Sequence, residues 1–192
     1  MRKVILNLAV SLDGYIEGPN GEYDWCLTDQ DYGMSEFFAG IDTIFIGRKS
    51  YEMIAGSEDS VFPGVKIYVF SDTLTAGNSD VTVVSKADFE QTVNTVMNEE
   101  GRSIWLFGGA ELTSAFLEKK LIGEFLLSLH PVILGSGKPL FQNIKDRVNL
   151  MLIDTQTYSS GLTQLKYIVK PEFDYNAFDI GLEKSALDIL DN

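Results

Sequence analysis

Cysteine and histidine are almost missing from this chain of 192 residues; Cys26 and His130 are its single examples. One cysteine excludes an intrachain disulfide and a multi-cysteine metal cluster. It suits a reducing compartment, so the expectation is a cytoplasmic protein with no metal centre. Positive charge is scarce too: 15 Lys+Arg stand against 28 Asp+Glu, a formal net charge of −13. That balance argues against nucleic acid or an anionic membrane surface as partner, since both need a basic footprint. No apolar run approaches the roughly 20 residues of a membrane span. The run at 4–6, behind Arg2 and Lys3, is soon broken by Asn7, Ser11 and Asp13. It reads as a first strand and not a signal peptide.

Against this acidic background, two segments stand out. Residues 104–112, Ile-Trp-Leu-Phe-Gly-Gly-Ala-Glu-Leu, read as a buried strand, a Gly-Gly turn and the opening of a helix. A helix N-terminus offers unpaired N–H groups and the positive end of the helix dipole, so it favours phosphate. Gly108 and Gly109 remove the Cβ atoms that would keep a diphosphate away from the backbone. The alternative is a plain strand-to-helix turn. The second segment, residues 43–52, repeats the pattern. A β-branched and aromatic run ends at Gly47, adjacent cations Arg48 and Lys49 follow, and a short helix opens near Ser50. Arg can grip a phosphate bidentately and Lys adds a point charge. Two phosphate-competent strand ends in one small chain favour a dinucleotide.

Hydrophobic periodicity predicts strands at 4–10, 43–47, 66–71, 81–84, 103–107 and 124–129. Helical patterns fall between them: one at the end of 25–38, with Tyr32, Phe37 and Phe38 inward; the set Phe89, Val93, Val96 and Met97 behind a capping-box-like Ser85–Asp88; and 110–120. Residues 150–158 and 162–169, joined by Ser159-Ser160-Gly161, read as a hairpin. Alternation implies a mostly parallel sheet with both faces covered, and the hairpin adds antiparallel edge strands. Beyond Pro171 the chain turns acidic, with six Asp or Glu against Lys184 alone. The expected organisation is one domain over 1–170 and an acidic extension over 171–192, packed on its own domain or on a second subunit.

These pieces resemble the dihydrofolate reductase-like family, and most closely its riboflavin-biosynthesis reductase branch, the RibD C-terminal domain. The residues carrying the resemblance are Ser11-Leu12-Asp13-Gly14, Gly47-Arg48-Lys49-Ser50-Tyr51-Glu52, Gly108-Gly109, and Pro131-Val132-Ile133-Leu134-Gly135-Ser136-Gly137, in family order over about residues 3 to 169. The resemblance implies a three-layer α/β/α fold, with a mixed, mostly parallel sheet and a C-terminal antiparallel hairpin. It also implies a homodimer and NAD(P)H-dependent hydride transfer to a pterin- or pyrimidinone-like heterocycle. The diphosphate would lie between Gly47, Arg48, Lys49, Ser50 and Gly108, Gly109, Ala110, Glu111, Leu112. The nicotinamide would lie near Ala9 and Ile16, the adenosine ribose near Ser71. NADPH is the expected cofactor, with NADH the alternative. Asp72 stands where relatives often carry a cation, and a carboxylate suits a ribose 2′-OH better than a 2′-phosphate.

Counting back seventeen residues from Arg48, the family spacing of the acid, gives Asp31 as the catalytic acid, with Asp29 as its neighbour. Both also fit a helix start in Thr28-Asp29-Gln30-Asp31. Asn7, Trp25, Phe38 and His130 are the expected substrate contacts; for His130 a purely structural role is the alternative. Cys26 reads as a packing residue and Asp13 as a turn residue or a substrate contact. The alternative function is a catalytically silent relative that binds nucleotide and acts through protein interaction.

Overall fold

The computed structural model describes residues 1–55, 62–74 and 81–171. The extension expected at 171–192 therefore lies, but for Pro171, outside the described residues. Among the described residues ten strands and four helices follow one another: β1 (Val4–Ser11), β2 (Tyr15–Glu17), α1 (Met34–Ala39), β3 (Ile41–Gly47), α2 (Arg48–Ala55), β4 (Lys66–Phe70), β5 (Val81–Val84), α3 (Phe89–Asn98), β6 (Ser103–Gly108), α4 (Ala110–Glu118), β7 (Glu124–His130), β8 (Lys138–Pro139), β9 (Leu150–Thr157) and β10 (Thr163–Val169). Eight strands form one sheet in the order β5-β4-β3-β6-β1-β7-β10-β9. The first six pair in parallel, and β10 runs antiparallel to both β7 and β9.

Strand alternation sorts the core into two layers. Phe45, Ile104, Leu106 and Leu6 face one side, where they meet Phe89, Val93 and Met97 of α3 and Leu112 and Phe116 of α4. Ile44, Ile46, Trp105 and Val69 face the other, against Phe37 and Phe38 of α1 and Tyr51 and Ile54 of α2. Helices thus cover both faces, which is why the central strands read as continuous apolar runs.

The chain order creates a topological switch. After β3 the chain passes through α2 to β4 on one side, and after β6 it passes through α4 to β7 on the other. In an open parallel sheet such a divergence leaves a crevice at the carboxyl ends of the strands, where ligands bind.

Local differences from the sequence reading have identifiable causes. The helix expected at the end of 25–38, with a start in Thr28–Asp31, is α1 and begins only at Met34. Tyr32 and Gly33 both take positive φ, which no α-helix continues through. The preceding loop is held instead by the Tyr32 hydroxyl, 2.6 Å from Asp29 Oδ1 and 2.8 Å from Ser160 Oγ. The fourth helix stops at Glu118 because Lys120 is left-handed. Only half of the expected box before α3 forms: Asp88 N donates to Ser85 Oγ, which donates to Asp88 Oδ2, and the helix itself starts from Asp88 with no side-chain cap hydrogen bond. The small sheet of β2 and β8 was not predicted; its three- and two-residue strands are too short to show a period.

Candidate active site

Both Gly corners lie at the switch. Parallel neighbours β3 and β6 are in register at Phe45↔Leu106 and Ile46↔Gly108, so Gly47 and Gly108 end side by side. The approach is close: a Cβ on Gly47 would sit 3.5 Å from the Gly108 carbonyl oxygen, and one on Gly109 would sit 3.5 Å from Ser50 Oγ. Gly108 and Gly109 take φ of 112° and 94°, a region closed to most side chains. Gly109 caps α4 with no side-chain hydrogen bond, so the first-turn N–H groups are offered to the crevice.

A cleft of about 880 Å³ opens there, within the span of roughly 300–1,000 Å³ typical of small-molecule sites. It joins Gly47, Arg48, Lys49 and Ser50 of one corner to Gly109, Ala110, Glu111 and Leu112 of the other. Ile16 closes it on one side and Ser71 on the other. Gly108 supports the turn from just behind the lining. Leu8, not Ala9, faces the cleft, because strand alternation turns Ala9 to the opposite face. Tyr23, Lys86, Phe107 and Lys138 also line it. No motif flagged Tyr23 or Lys138; Phe107 precedes the Gly-Gly turn and Lys86 lies in the box-like Ser85–Asp88 segment, and the four meet only in the fold.

The polar groups of the cleft have defined partners. Arg48 Nη1 contacts both carboxylate oxygens of Glu52 at 2.8 Å, one turn along α2. Ser71 Oγ accepts from the N–H groups of Thr73 at 3.1 Å and Leu74 at 2.9 Å, so it holds a turn. Asp72 Oδ1 accepts from the Lys86 N–H at 2.7 Å. Its carboxylate is thereby drawn toward the backbone before α3, and Lys86 lines the same cleft. The Thr113 hydroxyl, behind Gly108, is buried without a hydrogen-bond partner.

The remaining predicted residues fall into a separate neighbourhood. Asn7 is buried on β1; its carbonyl accepts from Trp105 Nε1 at 2.8 Å, and its Nδ2 lies 3.9 Å from Met34 Sδ. Trp25 stands edge-on to His130, ring centroids 5.3 Å apart. Phe38 packs on Trp105 and Phe62 within an aromatic cluster. Asp31 is exposed and accepts from Ser35 N at 3.1 Å and Ser35 Oγ at 2.8 Å. It precedes α1 by a few residues and so steadies the helix start, and it does not line the cleft. Asp13 accepts from Ser11 Oγ at 2.7 Å and Gly135 N at 2.7 Å, tying the loop after β1 to the one after β7. The Ser11 hydrogen bond is the largest influence on its carboxyl, which sits below the usual carboxylate range. Burial, with Asp24 adding repulsion, pushes the Cys26 thiol up to about 11. It stays protonated near neutrality and is no nucleophile.

His130 is buried, with Nδ1 2.9 Å from the Ser128 carbonyl oxygen. A carbonyl only accepts, so Nδ1 carries the proton and Nε2 is a bare acceptor; it has no partner among the described residues. Burial lowers the imidazole below its ordinary 6.5. The folded state thus prefers neutral His130, and that stabilisation is complete above the unfolded value and lost as pH falls through the folded one. Urea midpoints at about pH 7.5 and 5.5 should therefore differ more for the parent chain than for His130→Phe. Equal differences would remove His130 as a contributor.

Among the described residues no cluster of His, Cys, Asp and Glu is arranged to hold a metal ion, and no helix is long and apolar enough to cross a membrane. The fold has close counterparts. A Thermotoga maritima diaminohydroxyphosphoribosylaminopyrimidine deaminase/5-amino-6-(5-phosphoribosylamino)uracil reductase superposes with a TM-score of 0.68 at 15% identity, over 88% of this chain and 57% of that one. Dihydrofolate reductase from Enterococcus faecalis, complexed with NADP(H) and RAB-propyl, gives 0.63 at 17% identity, over 88% and 97%. The architecture is thus dihydrofolate reductase-like. The uncharacterized protein YyaP of Bacillus subtilis (strain 168) is 43% identical over 178 residues, spanning 86% of this chain and 94% of its own length. Residues 2–164 match the family model described as the RibD C-terminal domain. The chain belongs to the RibD C-terminal domain family.

Proposed function

We propose that this protein is an NAD(P)H-dependent reductase that passes a hydride to a small heterocyclic substrate. The observation that carries the reading is the paired corner at the switch point, where Gly47 and Gly109 bring two strand ends together over one cleft. The residues fit a dinucleotide. A bare backbone cradle meets an uncapped helix start, the orphaned Thr113 hydroxyl lies behind it, and Arg48, Lys49, Lys86 and Lys138 supply cations within a chain of net charge −13. The corners would hold the diphosphate, Ser71 and Asp72 the adenosine ribose, and Ile16 the nicotinamide end. When bound, the cofactor supplies the hydride. The chain's own residues orient it and exclude water.

The cations around Asp72 favour NADPH, with Arg48 the residue proposed to meet the 2′-phosphate. Arg48→Ala should weaken NADPH about tenfold more than NADH, the cost of one charge-assisted contact. Equal losses in paired titrations would refute that role.

The substrate class follows from the acids. Asp31 and Asp29 serve the loop before α1, and both are exposed. Hydride added to the carbon of a C=N bond leaves one proton to be taken up at nitrogen in either substrate; with Asp29 and Asp31 outside the cleft that proton would come from solvent, which reaches an exocyclic imine nitrogen more readily than an enclosed pterin ring nitrogen. The site therefore suits a ribosylamino-pyrimidinone-type substrate, of the kind named for the Thermotoga maritima enzyme, better than a folate. The same placement of Asp31 favours one second reading, a silent nucleotide binder that acts through protein contacts. Steady loss of NADPH absorbance with a pyrimidinone ribosylamine separates the two. Binding without turnover across pterins and pyrimidinones would leave only the second.

A further inference from the structure

A second cleft, of about 750 Å³, lies at the far end of α4 from the Gly corner. Its floor is apolar: Leu117, Ile122, Val148 and Val169 line it. Val169 keeps 40% of its surface exposed and Ile144, also in the wall, 39%. Its rim is cationic. Lys120, Lys145, Arg147 and Lys170 line it against Glu118 and Asp146, a local excess of positive charge on an acidic protein. Lys145 pairs with Glu118 across it.

Pro171, the last described residue, itself lines this cleft. The chain that leaves from there is acidic, with Glu172, Asp174, Asp179, Glu183, Asp188 and Asp191 against Lys184, and it opens with Phe173, Tyr175 and Phe178. Both chemistries match the cleft: aromatics for its apolar floor and carboxylates for its basic rim. We propose that residues 172–192 dock in cis into the cleft between α4 and the 143–149 loop.

The tether decides between the chain's own tail and another occupant. Phe173 is two residues past the cleft wall, within about 7 Å of extended chain, and Phe178 within about 25 Å. A segment anchored at the rim meets the cleft at an effective concentration near the millimolar range, far above that of a free partner. Burial of the aromatics supplies most of the driving force, because exposed rim ion pairs are individually weak. The charges select the occupant and make docking sensitive to salt.

The test uses the full chain. Zero-length carboxyl-to-amine cross-linking should join Lys120, Lys145 or Lys170 to carboxylates of residues 172–183, and high salt should reduce the yield. Amides of residues 117–122 and 143–149 should exchange about tenfold faster once the chain is cut after Pro171. A full-length chain carrying Asp174→Asn, Asp179→Asn and Glu183→Gln should show intermediate exchange, which guards against misfolding of the truncated form. Mixing isotope-labelled and unlabelled chains identifies the partner: cross-links confined to one chain support docking in cis. Cross-links between chains would overturn it in favour of a second copy. Unchanged exchange with no cross-links would leave the cleft to an external acidic ligand and also overturn it.

Discussion

Gly109→Val is expected to raise the Kd for NADPH by at least about a hundredfold, while the chain stays folded. Two effects combine. Gly109 sits at φ 94°, where a β-branched residue is strongly strained. Its side chain would also project toward Ser50 Oγ, into the gap between the two corners. Backbone strain costs on the order of 1–3 kcal/mol, which a domain of ordinary stability, about 5–15 kcal/mol, survives. The loss at the site is larger, because the diphosphate can no longer reach the bare helix start. Gly109→Ala should show the same sign with less strain. Circular dichroism and thermal melting separate misfolding from loss of the site. Unchanged NADPH affinity in a folded Gly109→Val protein would mean that the corner does not hold the cofactor.

Gly137→Ala should have the largest structural effect of any methyl added at a described glycine. Its Cβ would collide with the Glu17 carbonyl oxygen and fall 3.2 Å from Gly18 Cα, both backbone atoms that cannot rotate away. The contact lies where β2 pairs with β8, and Ile16, Glu17 and Lys138 from that small sheet line the cleft between the two Gly corners. Overpacking of this kind costs up to about 3 kcal/mol, so the melting temperature should fall by roughly 5–10 °C. NADPH affinity should fall with it. Gly135→Ala is the matched control: it also has positive φ, at 74°, but a Cβ there meets nothing within 4 Å. It should lose only the smaller cost of backbone strain. If the two variants melt together, the Glu17 contact is not what demands glycine at 137.

The residues that were legible in the sequence are those governed by local period and turn chemistry. The buried runs of β1, β3, β6 and β7, the helix-spaced set of α3 and the hairpin of β9 and β10 declare themselves within a few residues. So do both Gly corners, and ten of the twelve expected cofactor residues line the cleft. What was not legible depends on distant chain meeting distant chain. Lys86, Tyr23 and Lys138 reach the cleft from loops and a two-residue strand with no periodic signal. Ala9 yields to Leu8 because one residue of strand phase reverses the face. Asp31 follows from the family spacing back from Arg48, but that spacing puts it in the loop before α1, which begins at Met34 after two left-handed residues. Phe38 is apolar and near the site in sequence, yet the aromatic cluster around Trp105 claims it.

The proposed function puts a pyridine dinucleotide across the two Gly corners. Hydrogen exchange on the full chain, with and without saturating NADPH, reads this out residue by residue. Exchange should slow at residues 47–50, 71–73 and 109–113, following a saturable binding curve, with little change around Asp31. No saturable protection, or protection centred away from both corners, would contradict it.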